Sequence, residues 1–189
     1  VTDLSNVTEQ DRIRSEHGVN TVPHNVHFIN DFVITSYYND GITIHDVTHP
    51  EYMVEVGYYD TEPNYSGDAG GNENDYYWGA WGVYPWFSSG YIVVSDVKQG
   101  LVVLSPNYTR ASFVKGIVTD SCGNALSGVN VEVLVDAEST INEADGSYLI
   151  GIASEGNYDI QFTKTGYETV TIQNVTLTSG IDSQLNIQM

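Results

Sequence analysis

Apolar and polar residues alternate along most of this chain, and the alternation reads as β-strands. Phe32-Val33-Ile34-Thr35-Ser36 and Gly41-Ile42-Thr43-Ile44 flank a short turn, and Met53 to Tyr58 follows as a further strand. Tyr91-Ile92-Val93-Val94 runs through Ser95-Asp96 to a turn at Gln99-Gly100, then Leu101-Val102-Val103-Leu104. From Ser112 onward the strands are short and separated by Gly-containing turns at intervals of about 8–12 residues, the spacing of a β-sandwich. Phe113 to Thr119 is the first of them. Val129, Val131, Val133 and Val135 alternate with Asn130, Glu132 and Leu134, which predicts one buried face. Tyr148 to Ile150 follows the Asp145-Gly146 turn, and Tyr158, Ile160 and Phe162 share a side. Tyr167 to Ile172 comes next, and Leu185, Ile187 and Met189 face inward on a last strand. The pattern predicts an all-β chain: a propeller-like sheet domain over residues 1–108 and a sandwich over 109–189, joined by the polar stretch Asn107 to Arg110.

The first domain carries an internal repeat. Phe32 to Ser36 and Gly41 to Ile44 match Tyr91 to Ser95 and Gly100 to Val103 at one constant offset of 59 (Phe32 to Tyr91). His24-Asn25-Val26-His27 corresponds to Trp81-Gly82-Val83-Tyr84. Each unit is a hairpin with a glycine in its turn. A partial copy stands at the start: Val1 to Ser5 matches Ile44 to Thr48, and Arg12-Ile13-Arg14 falls near the Val54 to Val56 strand. Four-stranded units of about this length build β-propellers. Here the repeats are incomplete at both ends, which predicts unpaired sheet edges.

Between the hairpins lies the densest aromatic block, Tyr76 to Phe87, containing Tyr76, Tyr77, Trp78, Trp81, Tyr84 and Trp86. Large rings bury much apolar area, so the block is expected to organise the core of the first domain. Its rings are also candidates for stacking on sugars.

Two resemblances attach to these residues. VEVGYYDTEP (Val54 to Pro63), GAWGVYP (Gly79 to Pro85) and the strands ending at Leu104 resemble the last repeats of the LVIVD-repeat, choice-of-anchor B family, over roughly residues 1–106. That likeness implies a secreted bacterial surface propeller with a variable C-terminal module. GIVTDSCGNALSGVNVEV (Gly116 to Val133), DGSYLI, GNYDIQF and GYETVTI resemble the carboxypeptidase regulatory-like domain. That likeness implies a seven-stranded, transthyretin-like sandwich with no catalytic residues of its own, serving as an accessory or spacer unit.

Charge narrows the partners. Six Lys and Arg against 25 Asp and Glu leave a formal charge of −19, shared by both halves, which disfavours nucleic acid and anionic membranes. No apolar run reaches membrane-span length, and any secretory leader is expected to have been removed before Val1. The single cysteine, Cys122, excludes an internal disulfide and sits in a predicted turn. Asn-x-Ser/Thr acceptor sites occur at Asn6, Asn64, Asn107 and Asn174. The acidic, Gly- and Asn-rich stretch from Asp60 to Asp75 offers oxygen ligands, with Asp68, Glu73 and Asp75 as candidates for calcium. Calcium is the one cofactor considered.

Catalytic patterns are not evident. No Gly-x-Ser-x-Gly elbow is present, Cys122 has no neighbouring histidine, and the carboxylates show no paired arrangement. His24 and His27 form His-x-x-His, but positions three apart on a strand point to opposite faces. The expected function is therefore structural: an extracellular, non-enzymatic subunit that joins other copies of itself by strand complementation, with Val1, Thr2, Asp3 and Leu4 as the donated strand. Two alternatives stand beside it: an adhesion module for glycans or calcium-bridged ligands, or the C-terminal part of a longer surface propeller.

Overall fold

The computed structural model describes residues 5, 7–15, 17, 21–63, 77–135 and 138–189. Those residues form strands and turns without an α-helix. The chain divides into two compact units, Val1–Tyr108 and Thr109–Met189.

The first unit holds two antiparallel meanders. Strands β1 (Asn25–Ile29), β2 (Phe32–Ser36), β3 (Ile42–Asp46) and β4 (Val54–Tyr59) make a four-stranded sheet in sequence order. Strands β5 (Ala80–Tyr84), β6 (Ile92–Asp96) and β7 (Gly100–Leu104) make a three-stranded one. The repeat reappears as matched register. Ser36 lies opposite Ile42 as Ser95 lies opposite Leu101, and Asn25 lies opposite Ser36 as Gly82 lies opposite Ser95. Backbone bonds join the sheets where Tyr38 N donates to Ala80 O (3.0 Å) and Ala80 N to Tyr38 O (2.9 Å). Gly41 turns the β2–β3 hairpin with φ 70°, and a Cβ there would overlap the Tyr59 carbonyl, so only glycine fits.

Mostly aliphatic side chains from the strands, rather than the rings of the aromatic block, form the core of this unit. Phe32, Ile34, Ile42 and Ile44 of the first sheet close on Ala80, Val83, Ile92 and Val94 of the second. On β5 a bulge between Ala80 and Gly82 resets the alternation, so that Ala80 and Val83 both face inward while Trp81 and Tyr84 stay outside. The expectation of a ring-built core is corrected by that arrangement. No strand forms at Arg12–Arg14 either; the chain there is irregular, and Asp11 Oδ2 accepts from Met53 N at 2.8 Å. Two sheets are too few to close a ring of blades.

The second unit packs two sheets face to face. One has the order β10 (Glu138–Ile141), β9 (Asn130–Val133), β12 (Gly156–Thr163), β13 (Val170–Leu177). The other has β11 (Ser147–Ile152), β8 (Ser112–Thr119) and β14 (Asp182–Gln184), with β15 (Ile187–Gln188) also on β8. The implied seven strands become eight because the last is broken. Both pieces run parallel to β8, and Leu185–Asn186 bulge between them, with Ile117 N donating to Asn186 Oδ1 at 3.0 Å. A Cβ at Gly116 would overlap the Leu185 carbonyl, so a glycine in β8 admits this close approach. Val129, Val131 and Val133 are fully buried as expected, but β9 ends at Val133 and Val135, in the following turn, is 75% exposed.

Asn142 holds the turns of this sandwich together. Its buried amide donates to Leu126 O (2.7 Å) and Gly146 O (3.0 Å) and accepts from Val129 N (2.8 Å). Asn142→Ala strands three backbone groups away from water, and the expected loss is about 2–4 kcal/mol of unfolding free energy. Urea titration followed by tyrosine fluorescence measures it.

Candidate functional site

Three features of the first unit stand apart from simple packing. The foremost is an open place beside β7. In the first sheet β4 pairs with β3, whereas nothing among the described residues pairs with the outer edge of β7. A groove of about 390 Å³ lies along that edge. Ile42, Ile44, Gly57 and Ile92 line it together with Val103 and Leu104. The sequence explains the opening. Residues 113–118, which stand to β7 as β4 stands to β3 in the repeat, are the heart of β8 and are paired with β11, β14 and β15. The edge itself is unguarded: Gly100-Leu101-Val102-Val103-Leu104 has no charge and no proline, the usual devices against edge pairing. Leu101 and Val103 are 69% and 56% exposed, although their repeat counterparts Ile42 and Ile44 are buried against the second sheet.

The second feature is the aromatic surface. Trp81, Tyr84 and Trp86 are each nearly half exposed, and Tyr77 is exposed beside them, while Trp78 is half-buried under the Lys98 ammonium at 4.8 Å. The rings are buttressed by one another: His24 lies 4.3 Å from Trp81, His27 4.6 Å from Trp86, and Tyr84 5.3 Å from Trp86. The two histidines of the His-x-x-His pair thus each meet a tryptophan. Among the described residues no group of three or more His, Cys, Asp or Glu side chains is gathered to hold a metal ion. The calcium candidates Asp68, Glu73 and Asp75 lie outside the described residues, as do Tyr76, the donor strand Val1, Thr2, Asp3 and Leu4, and the acceptor sites Asn6 and Asn64. Asn107 and Asn174 are both exposed, as is the Cys122 thiol.

The third feature escaped the sequence reading. Across the first sheet, His17 stacks on Tyr58 with ring centroids 3.5 Å apart and meets the Glu55 carboxylate at 2.5 Å. His45, fully enclosed, has Nε2 3.7 Å from the same carboxylate, and its Nδ1 meets no hydrogen-bond partner among the described residues. Burial, aided by the neighbouring His17, lowers the His45 pKa to about 4. The Tyr58 hydroxyl is pushed up to about 12 by burial and by the charges of Asp60, Asp40 and Glu55. Alternation places His45 on the face opposite Ile42 and Ile44 and cannot show what encloses it, because His17 arrives from a segment without strand signal.

The low His45 pKa has a definite sign. The unfolded chain takes up this proton near pH 6.5, the folded one only near 4. Stability from this residue is therefore complete above pH 6.5 and is lost progressively as pH falls to 4, by roughly 3 kcal/mol. His45→Gln is expected to flatten the fall in urea midpoint between pH 7 and pH 4.5; an unchanged slope would assign the acid sensitivity elsewhere.

Comparison with known proteins reaches only the second unit by family. No curated protein matches the chain. Among solved structures, two interface mutants of a type II cohesin–X-dockerin complex from Acetivibrio cellulolyticus are similar to it. Each is 24% identical, with a TM-score of 0.36, over 40% of this chain and 52% of the other. The alignment thus spans about half the length of those chains. No likeness to LVIVD-repeat or choice-of-anchor B proteins emerges for residues 1–106. Residues 114–189 match the carboxypeptidase regulatory-like domain family.

Proposed function

We propose that this is a non-enzymatic, extracellular structural protein, a subunit of a surface assembly whose neighbouring chains are joined by β-strand complementation. The observation that carries the reading is the open fourth place beside β7, where an apolar edge borders a groove floored by core residues. Main-chain hydrogen bonds to an added strand would satisfy the free edge, and its side chains would cover Val103 and its neighbours. A strand given by one copy and taken by the next is a heterologous contact. It closes into a ring or grows into a filament according to the rotation between copies. The propeller-like repeat and bacterial cell-surface setting belong to this proposal. The sandwich serves as a spacer, in keeping with its family match.

The exposed rings favour a second reading, an adhesion module in which Trp81, Tyr84 and Trp86 stack on glycans. Trp86→Ala is then expected to abolish glycan-array signal while leaving the circular dichroism spectrum unchanged. An array blank for the wild-type protein, with and without calcium, would remove this reading.

Assembly tests the first. Sedimentation velocity over a wide concentration range is expected to show growth from monomer to larger, discrete species. Removal of residues 1–4 leaves the Asp11–Met53 and His17–Glu55 contacts in place and is expected to leave only monomer. A full-length chain that stays a compact monomer at every concentration would sink the proposal.

A further inference from the structure

We propose that residues 7–15 and 17 form an acid-released clasp: His17 holds the segment on Glu55 and Tyr58 over the enclosed His45, and a proton taken up by His45 frees the segment while the sheet beneath stays paired. The inference is independent of strand complementation.

The segment lies on the face of the first sheet that is turned away from the core. Thr43 and His45 share that side of β3, since Ile42 and Ile44 face the second sheet. Both are nonetheless enclosed, at 0% and 2% exposure. The segment supplies the contacts over this face. His17 stacks on Tyr58 and meets Glu55, the Ser15 backbone bonds the Tyr37 hydroxyl, and Asp11 accepts from Met53 N. Farther along, Thr21 Oγ1 donates to Asp40 Oδ2 at 2.8 Å. Each of these contacts uses a side chain, and residues 7–15 belong to no strand. Strands β2, β3 and β4 are instead held by backbone ladders, the second with a bulge between Ile44 and His45. A segment held by a few side chains opens at lower free energy than the sheet it covers.

The closed arrangement is poorly satisfied. Among the described residues Ser15 Oγ, Thr43 Oγ1 and His45 Nδ1 are buried and meet no hydrogen-bond partner. Opening gives each of them water. Charge supplies the trigger. His45 has Val33 opposite it on β2 and Glu55 opposite it on β4. The ionisable groups facing it are His17 from the segment and Glu55, with Tyr37, Tyr58, Asp40 and Asp60 beyond that carboxylate. Glu55 already serves His17, so a proton on His45 would be enclosed without a counter-charge of its own. Water reaches it only where the segment lifts. His45 takes a proton near pH 4 when enclosed and near 6.5 when solvated. The closed state is therefore fully favoured above pH 6.5 and loses ground as pH falls toward 4. Between pH 6.5 and 4.5 opening gains about fortyfold.

Amide hydrogen exchange on the full chain, read by NMR in low urea and corrected for the intrinsic rate at each pH, tests this. Met53 N–H, which Asp11 holds, reports the segment, and the amides of the β2–β3 ladder report the sheet. Met53 is expected to exchange faster than the ladder and with little dependence on urea, the mark of a local opening. Its protection is expected to fall about fortyfold between pH 6.5 and 4.5. His45→Gln is expected to remove that fall. His17→Phe, which keeps a ring on Tyr58 and loses the bond to Glu55, is expected to lower Met53 protection roughly fivefold or more already at pH 7. Circular dichroism reports whether each variant is folded. Met53 exchanging in step with the ladder would make the segment part of global unfolding and overturn the inference. So would an acid response that persists in His45→Gln, which would belong to Asp11 or Glu55, or Met53 protection unmoved by His17→Phe.

Discussion

A strand in a sheet carries hydrogen-bonding groups on both sides, and the protein must find partners for each side or leave it to water. Among the described residues of the first unit that requirement is met on every inner strand, while β1, β4 and β7 each keep an outer edge without a strand partner; the edge of β7 is the one that corresponds to the place β4 fills beside β3. The open side is not an ordinary solvated edge, because the surface beyond it is hydrophobic. The groove exposes side chains that elsewhere in the same repeat are closed off, and water gains little by filling it. The proposed assembly follows from that mismatch between an exposed backbone and an apolar setting.

The two sheets show how the same sequence pattern can be spent differently. Register is preserved between them at each compared pair, yet Ile42 and Ile44 are enclosed while Leu101 and Val103 are exposed. The first sheet receives Ala80, Val83, Ile92 and Val94 on that face. The second sheet turns the opposite set of residues, Ile92 and Val94 rather than Tyr91 and Val93, toward the first. Its own equivalent face is left over. The aromatic rings belong to this economy as well: β5 uses its small residues for the core and keeps Trp81 and Tyr84 outside, so aromatic density in sequence marked a surface.

The sandwich behaves differently because its strands are all claimed. Phe113, Val114, Ile150, Ile160 and Phe162 close a core between complete sheets, and Asn142 pairs the backbone of the turns at one end. Residues 113–118 could by offset have continued the repeat. With them committed to β8, no strand among the described residues takes the outer side of β7. The sandwich and the open edge are in this sense one feature of the chain.

Alternation and turn glycines were sufficient to read, without coordinates, the all-β class, the hairpins at Gly41 and Gly100 and most strands of the sandwich. These are local properties: pleat period and positive φ act over a few residues. The repeat offset likewise anticipated cross-strand register, since equal spacing around equal turns yields equal pairing. Which face of each sheet is covered, and by what, was decided only in three dimensions. Trp81 and Ala80 are neighbours whose fates differ by the side of a pleat. His17 reaches Glu55 across 38 positions from a segment with no strand pattern. The parallel return of β14 and β15 onto β8 depends on a carbonyl passing over Gly116. Burial and edge pairing are sums over distant parts of the chain, and no window of sequence contains them.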